Sequence, residues 1–183
     1  MSSTRRRFLE QSASLAAAGG VMAFGATQTS GGDAVTPVSA DQSYTVHPIG
    51  YVQKEKDGPA RIVLFEQYAK GLLGLAGWSH LNVFWWFDKN DTPQKRGILQ
   101  VHPRGNKKNP LTGVFATRSP VRPNLIALTV CKIVSVEGHT VTVDNIDAFD
   151  GTPVLDLKPV IPPDAPKGGV GVPNWARGGP KKE

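Results

Sequence analysis

Two pairs of short segments rich in β-branched and aromatic residues constrain the fold of this chain more than any other feature. Residues 44–52 and 60–65 are separated by the turn-prone string K-D-G-P, and residues 126–136 and 140–146 are joined by E-G-H at 137–139. Apolar segments that flank tight turns in this way predict two β-hairpins. The 183 residues also include 20 glycines and 15 prolines, which favours short strands and many turns over long helices.

The segments between the hairpins add one helix, one strand and long loops. Apolar residues recur at helical spacing in residues 66–75, which predicts a helix of one or two turns interrupted by Gly71 and Gly74. The aromatic run 81–87 predicts a strand that is either buried on both faces or lines a pocket. Residues 88–112 are polar, basic and Pro-rich, which predicts a loop. These patterns predict an all-β fold, either a barrel or a strongly curved sheet.

The first residues of the chain resemble an export signal. The string T-R-R-R-F-L-E at 4–10 fits the twin-arginine pattern, and a short, weakly apolar stretch rich in Ala and Gly follows at 13–26. We expect a signal peptide over residues 1–26 that engages the twin-arginine translocation machinery, and a polar linker over 27–43. The expected destination is periplasmic or otherwise extracytoplasmic, without stable membrane insertion. An uncleaved signal anchor is the alternative.

The charge balance and the cysteine count limit the chemistry that the chain can carry. The formal net charge is +6, of which the first ten residues contribute +2. This surplus fits either a solvated surface or an anionic partner. Cys131 is the only cysteine, which rules out an intramolecular disulfide and a cysteine cluster for zinc or iron–sulfur ligation. We expect Cys131 to be a buried structural thiol, and we expect no metal site.

Three strings stand out in the second part of the chain. They are Y-A-K-G-L at 68–72 with W-S-H-L at 78–81, G-V-F-A-T-R-S-P-V-R-P-N at 113–124, and D-A-F-D-G-T-P-V-L-D-L-K-P at 147–159. Together they resemble the TsaA/TrmO-like family, over roughly residues 46–162. The resemblance implies a closed β-barrel, which we expect over residues 44–162. The Pro/Gly-rich composition of residues 163–183 predicts a tail. The resemblance also implies a homodimer that binds S-adenosylmethionine. Characterised bacterial members methylate N6 of threonylcarbamoyladenosine at position 37 of certain tRNAs.

Matching the strings residue by residue implies a cofactor pocket. Arg118 would pair with the methionine carboxylate, and Asp150 would accept from cofactor hydroxyl or amino groups. Candidate substrate contacts are Arg104, Arg122 and Asn124, and no catalytic residue is assigned. Trp85, Trp86 or Phe149 would hold the sulfonium or the adenine. The implied cofactor contacts are Asp88, Lys89, Arg118, Leu128, Ala148, Phe149, Asp150 and Gly151.

The expected chemistry places little demand on acid–base catalysis. A sulfonium methyl donor is already activated, so transfer depends mainly on alignment and on a dry pocket. His80 is a candidate base, although a hydrogen-bonded core histidine beside Ser79 is the favoured interpretation.

The chain also departs from the family pattern, which leaves other functions open. The connection at 53–61 is short and lacks the P-R-Q stretch of typical members, and R-P-N-L-I-A at 122–127 stands where R-P-N-P-I-G is usual. One alternative is an exported small-molecule-binding module without methyltransferase activity. Another is a structural protein in which the aromatic run 84–87 packs a dimer interface.

Overall fold

Six strands close into an antiparallel barrel. The computed structural model describes residues 39–55, 58–164 and 168–177, and the residues from Tyr44 onward belong to one compact unit. The barrel order is β1-β2-β7-β6-β3-β8, and β8 pairs back onto β1, while β4 and β5 form a separate two-stranded sheet. The strands are β1 Gly50–Gln53, β2 Ala60–Leu64, β3 His80–Trp86, β4 Gln100–Val101, β5 Thr112–Gly113, β6 Ile126–Glu137, β7 Thr140–Val143 and β8 Pro153–Pro159. This architecture confirms the predicted all-β closed barrel and both hairpins.

The core fills the inside of the barrel with aliphatic side chains from alternate positions of each strand. Successive side chains of a strand point to opposite faces, so a closed barrel buries every second residue. The aromatic strand β3 follows this rule, since Leu81, Val83 and Trp85 are buried while Phe84 and Trp86 are half-buried. It is therefore not buried on both faces. The other core residues include Val52, Ile62, Leu64, Ala127, Cys131, Val141, Val143 and Val154.

The twelve-residue strand β6 links two parts of the barrel. Its first half pairs with β3, and the residues from Ile133 onward pair with β7. The register shifts between Ile133 and Ser135, which is the irregularity expected where a strand bends from one partner to another. The outer face of β6 exposes Ile126, Leu128 and Val130. The implied homodimer stays a prediction.

Cys131 lies on the inner face of β6. The residue is buried, and burial, followed by the nearby Asp144 carboxylate, raises the pKa of its thiol to about 12. The thiol therefore stays protonated near neutral pH, which confirms the expected structural role.

Short helical turns fill the connections between the strands. The segment predicted as a helix at 66–75 is a 3-10 helix over Glu66–Leu72, with a second 3-10 turn at Leu75–Gly77. Gly74 separates the two with φ 85°, a left-handed conformation that glycine adopts without a steric penalty. The predicted loop 88–112 contains helix α1, Pro93–Arg96, and strand β4. Thr92 caps α1 by accepting a hydrogen bond from the Lys95 N–H at 3.3 Å.

The expected signal peptide, most of the linker and part of the tail lie outside the described residues. Among the residues that the structure does describe, no helix has the length and apolar character needed to cross a membrane.

Closure of the barrel depends on Gly50, which pairs with Leu64 of β2 and Val154 of β8. A Cβ added at Gly50 would overlap the Val63 carbonyl oxygen and would lie 2.7 Å from the Leu64 Cα. Real Cβ atoms do not approach backbone this closely, so any side chain would push β1 away from β2.

We therefore expect Gly50→Ala to lower the free energy of unfolding by about 1–3 kcal/mol, the usual cost of overpacking. Urea denaturation followed by circular dichroism measures this loss. Gly71→Ala is the matched control, because a Cβ at Gly71 meets no atom within 4 Å. Equal stability of the two variants would contradict the role assigned to Gly50.

Candidate functional site

A cavity of about 770 Å³ lies where β3 ends and β6 begins. This volume is within the range of small-molecule sites, about 300–1,000 Å³. The walls come from five chain segments: the end of β3 with the turn after it, the start of β6, the loop before β6, the loop before β8 and the residue after β1. The cavity is lined by Lys54, Trp85, Phe87, Asp88, Lys89, Asn90, Arg118, Pro120, Arg122, Ile126, Ala127, Leu128, Thr129, Asp147, Ala148 and Phe149.

Most of the residues that the sequence suggested for cofactor binding line this one cavity. Asp150 and Gly151 also belong to the loop before β8, but they are not among the residues that line the cavity. The Asp150 Oδ1 accepts a hydrogen bond from the Lys54 N–H at 2.9 Å, and the Gly151 N–H donates to the Val52 carbonyl at 2.8 Å. These bonds hold the loop against the end of β1. The cofactor candidates in the lining are Asp88, Lys89, Arg118, Leu128, Ala148 and Phe149.

The floor of the cavity is aromatic and continuous with the barrel core. Trp85 is only 6% exposed, and its Nε1 donates to the Thr129 Oγ1 at 3.1 Å. The Phe87 ring meets the Trp85 ring edge-on with 4.8 Å between centroids. Phe149 is 68% exposed at the rim. The cavity therefore has two packed aromatic rings in its floor, Trp85 and Phe87, and one accessible ring at its rim, Phe149.

Four cationic side chains line the cavity: Lys54, Lys89, Arg118 and Arg122. Within the described part of the chain, the exposed Arg118 side chain makes no hydrogen bond and no ion pair. Lys89 lies 3.1 Å from the Asp88 carboxylate, and the Lys54 Nζ donates to the Ile146 carbonyl at 2.7 Å. Arg118 is thus the cation most available to an anionic group such as a carboxylate.

Sequence reasoning missed Lys54. The short 53–61 connection that departs from the family pattern places this lysine directly in the wall. One sequence signal could have identified Lys54, namely its position immediately after β1, a strand in which burial alternates.

Arg122 holds the loop that walls the cavity. Its Nη2 donates to the Val114 carbonyl at 2.8 Å and to the Thr117 carbonyl at 2.9 Å, while its Nε is buried without a hydrogen-bond partner. The guanidinium therefore fixes the 3-10 turn Val114–Ala116 in addition to lining the cavity.

A second, wider cavity of about 1,330 Å³ adjoins the first and shares Arg118, Pro120 and Asp147 with it. We call it the groove. Trp175 from the C-terminal segment lines the groove and is half-buried. Arg104 lies in the groove and not in the first cavity, whereas Asn124 is exposed and lines neither.

His80 is not the core histidine that the sequence suggested. It is exposed at the start of β3, where side chains alternate outward, although its Nδ1 does lie 2.9 Å from the Ser79 Oγ. It lines neither the cavity nor the groove.

The family model for the tRNA-methyltransferase O N-terminal domain matches residues 48–164. The chain belongs to this family. The match covers every barrel strand and all five segments that line the cavity, which confirms the resemblance that the three strings carried.

Named relatives of this TrmO-type domain come from archaea and mammals. A probable S-adenosyl-L-methionine-binding protein of Pyrococcus horikoshii is 47% identical over 117 residues, covering 64% of this chain and 82% of the relative. A probable S-adenosyl-L-methionine-binding protein of Methanocaldococcus jannaschii is 44% identical over 115 residues. The alignment covers 63% of this chain and 90% of that relative. The tRNA (adenine(37)-N6)-methyltransferase of Mus musculus is 44% identical over 98 residues, which are 54% of this chain and 22% of that enzyme.

The solved structure of TrmO from Pseudomonas aeruginosa has the same fold. The TM-score is 0.55 at 27% identity, and the alignment covers 70% of this chain and 62% of that one. The TrmO-type chain therefore spans less than two thirds of the solved TrmO structure.

A clamp around Asp91 holds the turn that lines the TrmO-type cavity. The Asp91 carboxylate accepts from the Arg96 Nε at 2.7 Å and from the Trp86 Nε1 at 3.1 Å, and the Arg96 guanidinium lies 5.3 Å from the Trp86 ring centre. Arg96 also donates to the Pro123 carbonyl at 3.0 Å. The clamp thus ties the turn after β3 to the loop before β6, which are two of the cavity walls.

In the described ranges, no group of three or more His, Cys, Asp or Glu side chains is close enough to hold an ion.

The clamp makes a pH-dependent contribution to stability. The hydrogen bond from Arg96, and then that from Trp86, lower the pKa of Asp91 below its ordinary value of 3.8. A carboxylate with a lowered folded pKa stabilises the fold fully above the unfolded value and loses this effect as the pH falls through the folded pKa.

We therefore expect Asp91→Asn to have a lower urea midpoint than the wild type at pH 7. The difference between the two midpoints should shrink as the pH falls below about 4, because Asp91 of the wild type then becomes protonated. Denaturation of both proteins from pH 7 to pH 2.5 measures this. Asp156→Asn, which removes an exposed carboxylate paired with Lys158, serves as the control with little change. A deficit that is constant with pH would refute the electrostatic origin.

Proposed function

We propose that this chain binds S-adenosylmethionine in the cavity and transfers its methyl group to N6 of an adenosine in tRNA. The observation that carries the proposal is the meeting of six matched residues, from four separate chain segments, around one cavity of suitable size. The names of the archaeal and mammalian relatives support both halves of the proposal, the donor and the acceptor.

The lining suits the three chemical parts of the donor. Aromatic faces of Trp85, Phe87 and Phe149 suit an adenine ring or a sulfonium cation. Arg118 suits the methionine carboxylate, because a guanidinium can donate two parallel hydrogen bonds to a carboxylate. The Arg118 side chain makes no hydrogen bond to any other residue that the structure describes. The Asp88 carboxylate suits a ribose hydroxyl or an amino group.

The protein's own contribution is alignment and exclusion of water. The bound donor supplies an activated methyl group, so that transfer is an in-line displacement. Trp85 and Phe87 provide a rigid apolar floor, and the Asp91 clamp and the Arg122 bonds fix the two loops above it. Such pre-organised walls reduce the entropy lost when donor and acceptor are aligned.

The finer acceptor that we propose is threonylcarbamoyladenosine at position 37 of tRNA, the substrate of the characterised bacterial members. The support is the long string at 113–124, which forms the wall between the cavity and the groove.

Calorimetric titration of the full chain with S-adenosylmethionine tests the proposal. We expect binding on the order of micromolar affinity. Arg118→Ala should weaken it by about tenfold to a hundredfold, because a charge-assisted hydrogen bond to the carboxylate is lost.

Arg61→Ala is the matched control, since Arg61 pairs with Glu55 on the outside of the barrel and lines neither cavity. The control should keep the wild-type affinity. A folded wild-type chain that does not bind the donor would refute the proposal.

We propose further that the chain is exported by the twin-arginine pathway. The string T-R-R-R-F-L-E at 4–10 supports export, and the pathway transports folded proteins, which is compatible with a preassembled barrel. The exported binding module without methyl transfer is the second candidate function. Efficient export favours it over tRNA methylation, because an exported chain is separated from a cytosolic tRNA substrate.

Fractionation of a bacterial host with a functional twin-arginine pathway tests export. We expect the full chain in the periplasm, and we expect the double substitution Arg5→Lys, Arg6→Lys to retain it in the cytoplasm. Lys132→Arg, on the outer face of β6, is the control for a basic exchange elsewhere. Equal distribution of the wild type and the double variant would disprove this route.

A further inference from the structure

The groove beside the cavity has the chemistry of a nucleotide-binding surface. Phe115 is 82% exposed on its wall, and the half-buried Trp175 lines it as well. Arg104 and Lys107 add basic groups along the same surface. Exposed rings that stack on bases, with cations that meet phosphates, are the usual means of holding single-stranded nucleic acid.

The backbone of the groove is unusual at Arg104. This residue has φ 60°, the one non-glycine in the described ranges with a left-handed backbone, and Gly105 follows with φ 64°. A left-handed arginine costs free energy and is maintained only where the surrounding structure fixes it. The 3-10 turn Pro103–Gly105 is therefore a fixed part of the groove wall.

Asp147 lies at the junction of the two cavities. It lines both, together with Arg118 and Pro120, and it is exposed. Across the described residues, its carboxylate makes no hydrogen bond and no ion pair. The neighbouring carboxylates differ in this respect, because Asp88 pairs with Lys89, and Asp150 accepts the Lys54 N–H.

We propose that the groove is the acceptor site, that Phe115 stacks on the acceptor base, and that Asp147 receives the proton that the acceptor nitrogen loses. The inference rests on the proposed function and adds to it a binding surface and a catalytic residue. The nucleic acid approaches through the groove, and the donor occupies the cavity. Asp147 faces both.

The proton balance of the reaction requires such an acceptor. The N6 nitrogen forms a bond to the methyl carbon, the bond between that carbon and sulfur breaks, and its electron pair returns to the sulfur. The nitrogen loses one proton, which passes to the Asp147 carboxylate and from there to water. The lone pair of N6 is delocalised into the purine ring, so removal of this proton during attack makes the nitrogen a better nucleophile.

Two histidines compare unfavourably with Asp147 as the proton acceptor. The Nδ1 of His102 donates to the Asn109 carbonyl at 2.8 Å, but His102 lines only the groove. His80 lines neither cavity. The junction between donor and acceptor therefore contains one carboxylate and no imidazole among the residues described.

Three measurements on the full chain test the proposal. Calorimetry with S-adenosylmethionine comes first, and Asp147→Asn should bind the donor as the wild type does. A wild type that fails to bind the donor overturns the proposed function itself, independently of the groove.

The second measurement is fluorescence anisotropy with a labelled tRNA that carries threonylcarbamoyladenosine at position 37. Phe115→Ala should bind it about fivefold to a hundredfold more weakly, the range expected for one lost base stack. Phe65→Ala is the matched control, since Phe65 is exposed but lines neither cavity. Equal affinity of Phe115→Ala and the wild type would overturn the groove assignment.

The third measurement is methyl transfer from radiolabelled donor to the same tRNA. Asp147→Asn should lower kcat by about a hundredfold or more with little change in KM, the usual effect of losing a general base. Asp147→Glu should recover part of this loss, and Asp156→Asn should behave as the wild type. A wild-type kcat in Asp147→Asn, or no transfer by a wild type that binds both donor and tRNA, would overturn the role of Asp147.

Discussion

The pairing of β1 with two neighbours is the constraint on which the rest of this structure depends. β1 has four residues, yet it must bond to β2 on one side and to β8 on the other. Only backbone without a side chain fits at Gly50, because an added Cβ would overlap Val63 and Leu64 of β2. Once the barrel closes there, the residue after β1 and the loop before β8 lie side by side, and Lys54 meets Asp150. The cavity acquires this wall only through closure.

The cavity and the core are not separate in this molecule. Trp85 is an inward-facing residue of β3 and also the floor of the cavity, and Thr129 beside it belongs to β6. A floor that is part of a close-packed barrel cannot shift without disturbing the packing beneath it. The loops above the floor are held by individual hydrogen bonds from Arg96 and Arg122. The floor of the site is thus fixed by core packing, and the loops above it are fixed by these hydrogen bonds.

The fold was largely predictable from sequence, whereas the site was predictable only in part. Strand positions followed from β-branched segments and turns because period-two burial is a local signal. The 3-10 geometry at Glu66–Leu72 was not predictable, since helical spacing does not distinguish it from a short α-helix. The resemblance to a family led to Arg118 and Phe149, but not to Lys54 or Asp147. Those two residues come together only through barrel closure and loop packing, which no sequence window contains.

The loop before β6 forms a partition with one cavity on each side. The Arg122 guanidinium stabilises this loop by donating hydrogen bonds to the Val114 and Thr117 carbonyls. A lysine at this position would have a single flexible ammonium in place of the planar guanidinium. Arg118 and Pro120 line both the cavity and the groove. A change in the length of this partition would alter the two compartments at once. Natural variation at either compartment is therefore expected to leave the spacing between Val114 and Arg122 untouched and to act through the surrounding loops.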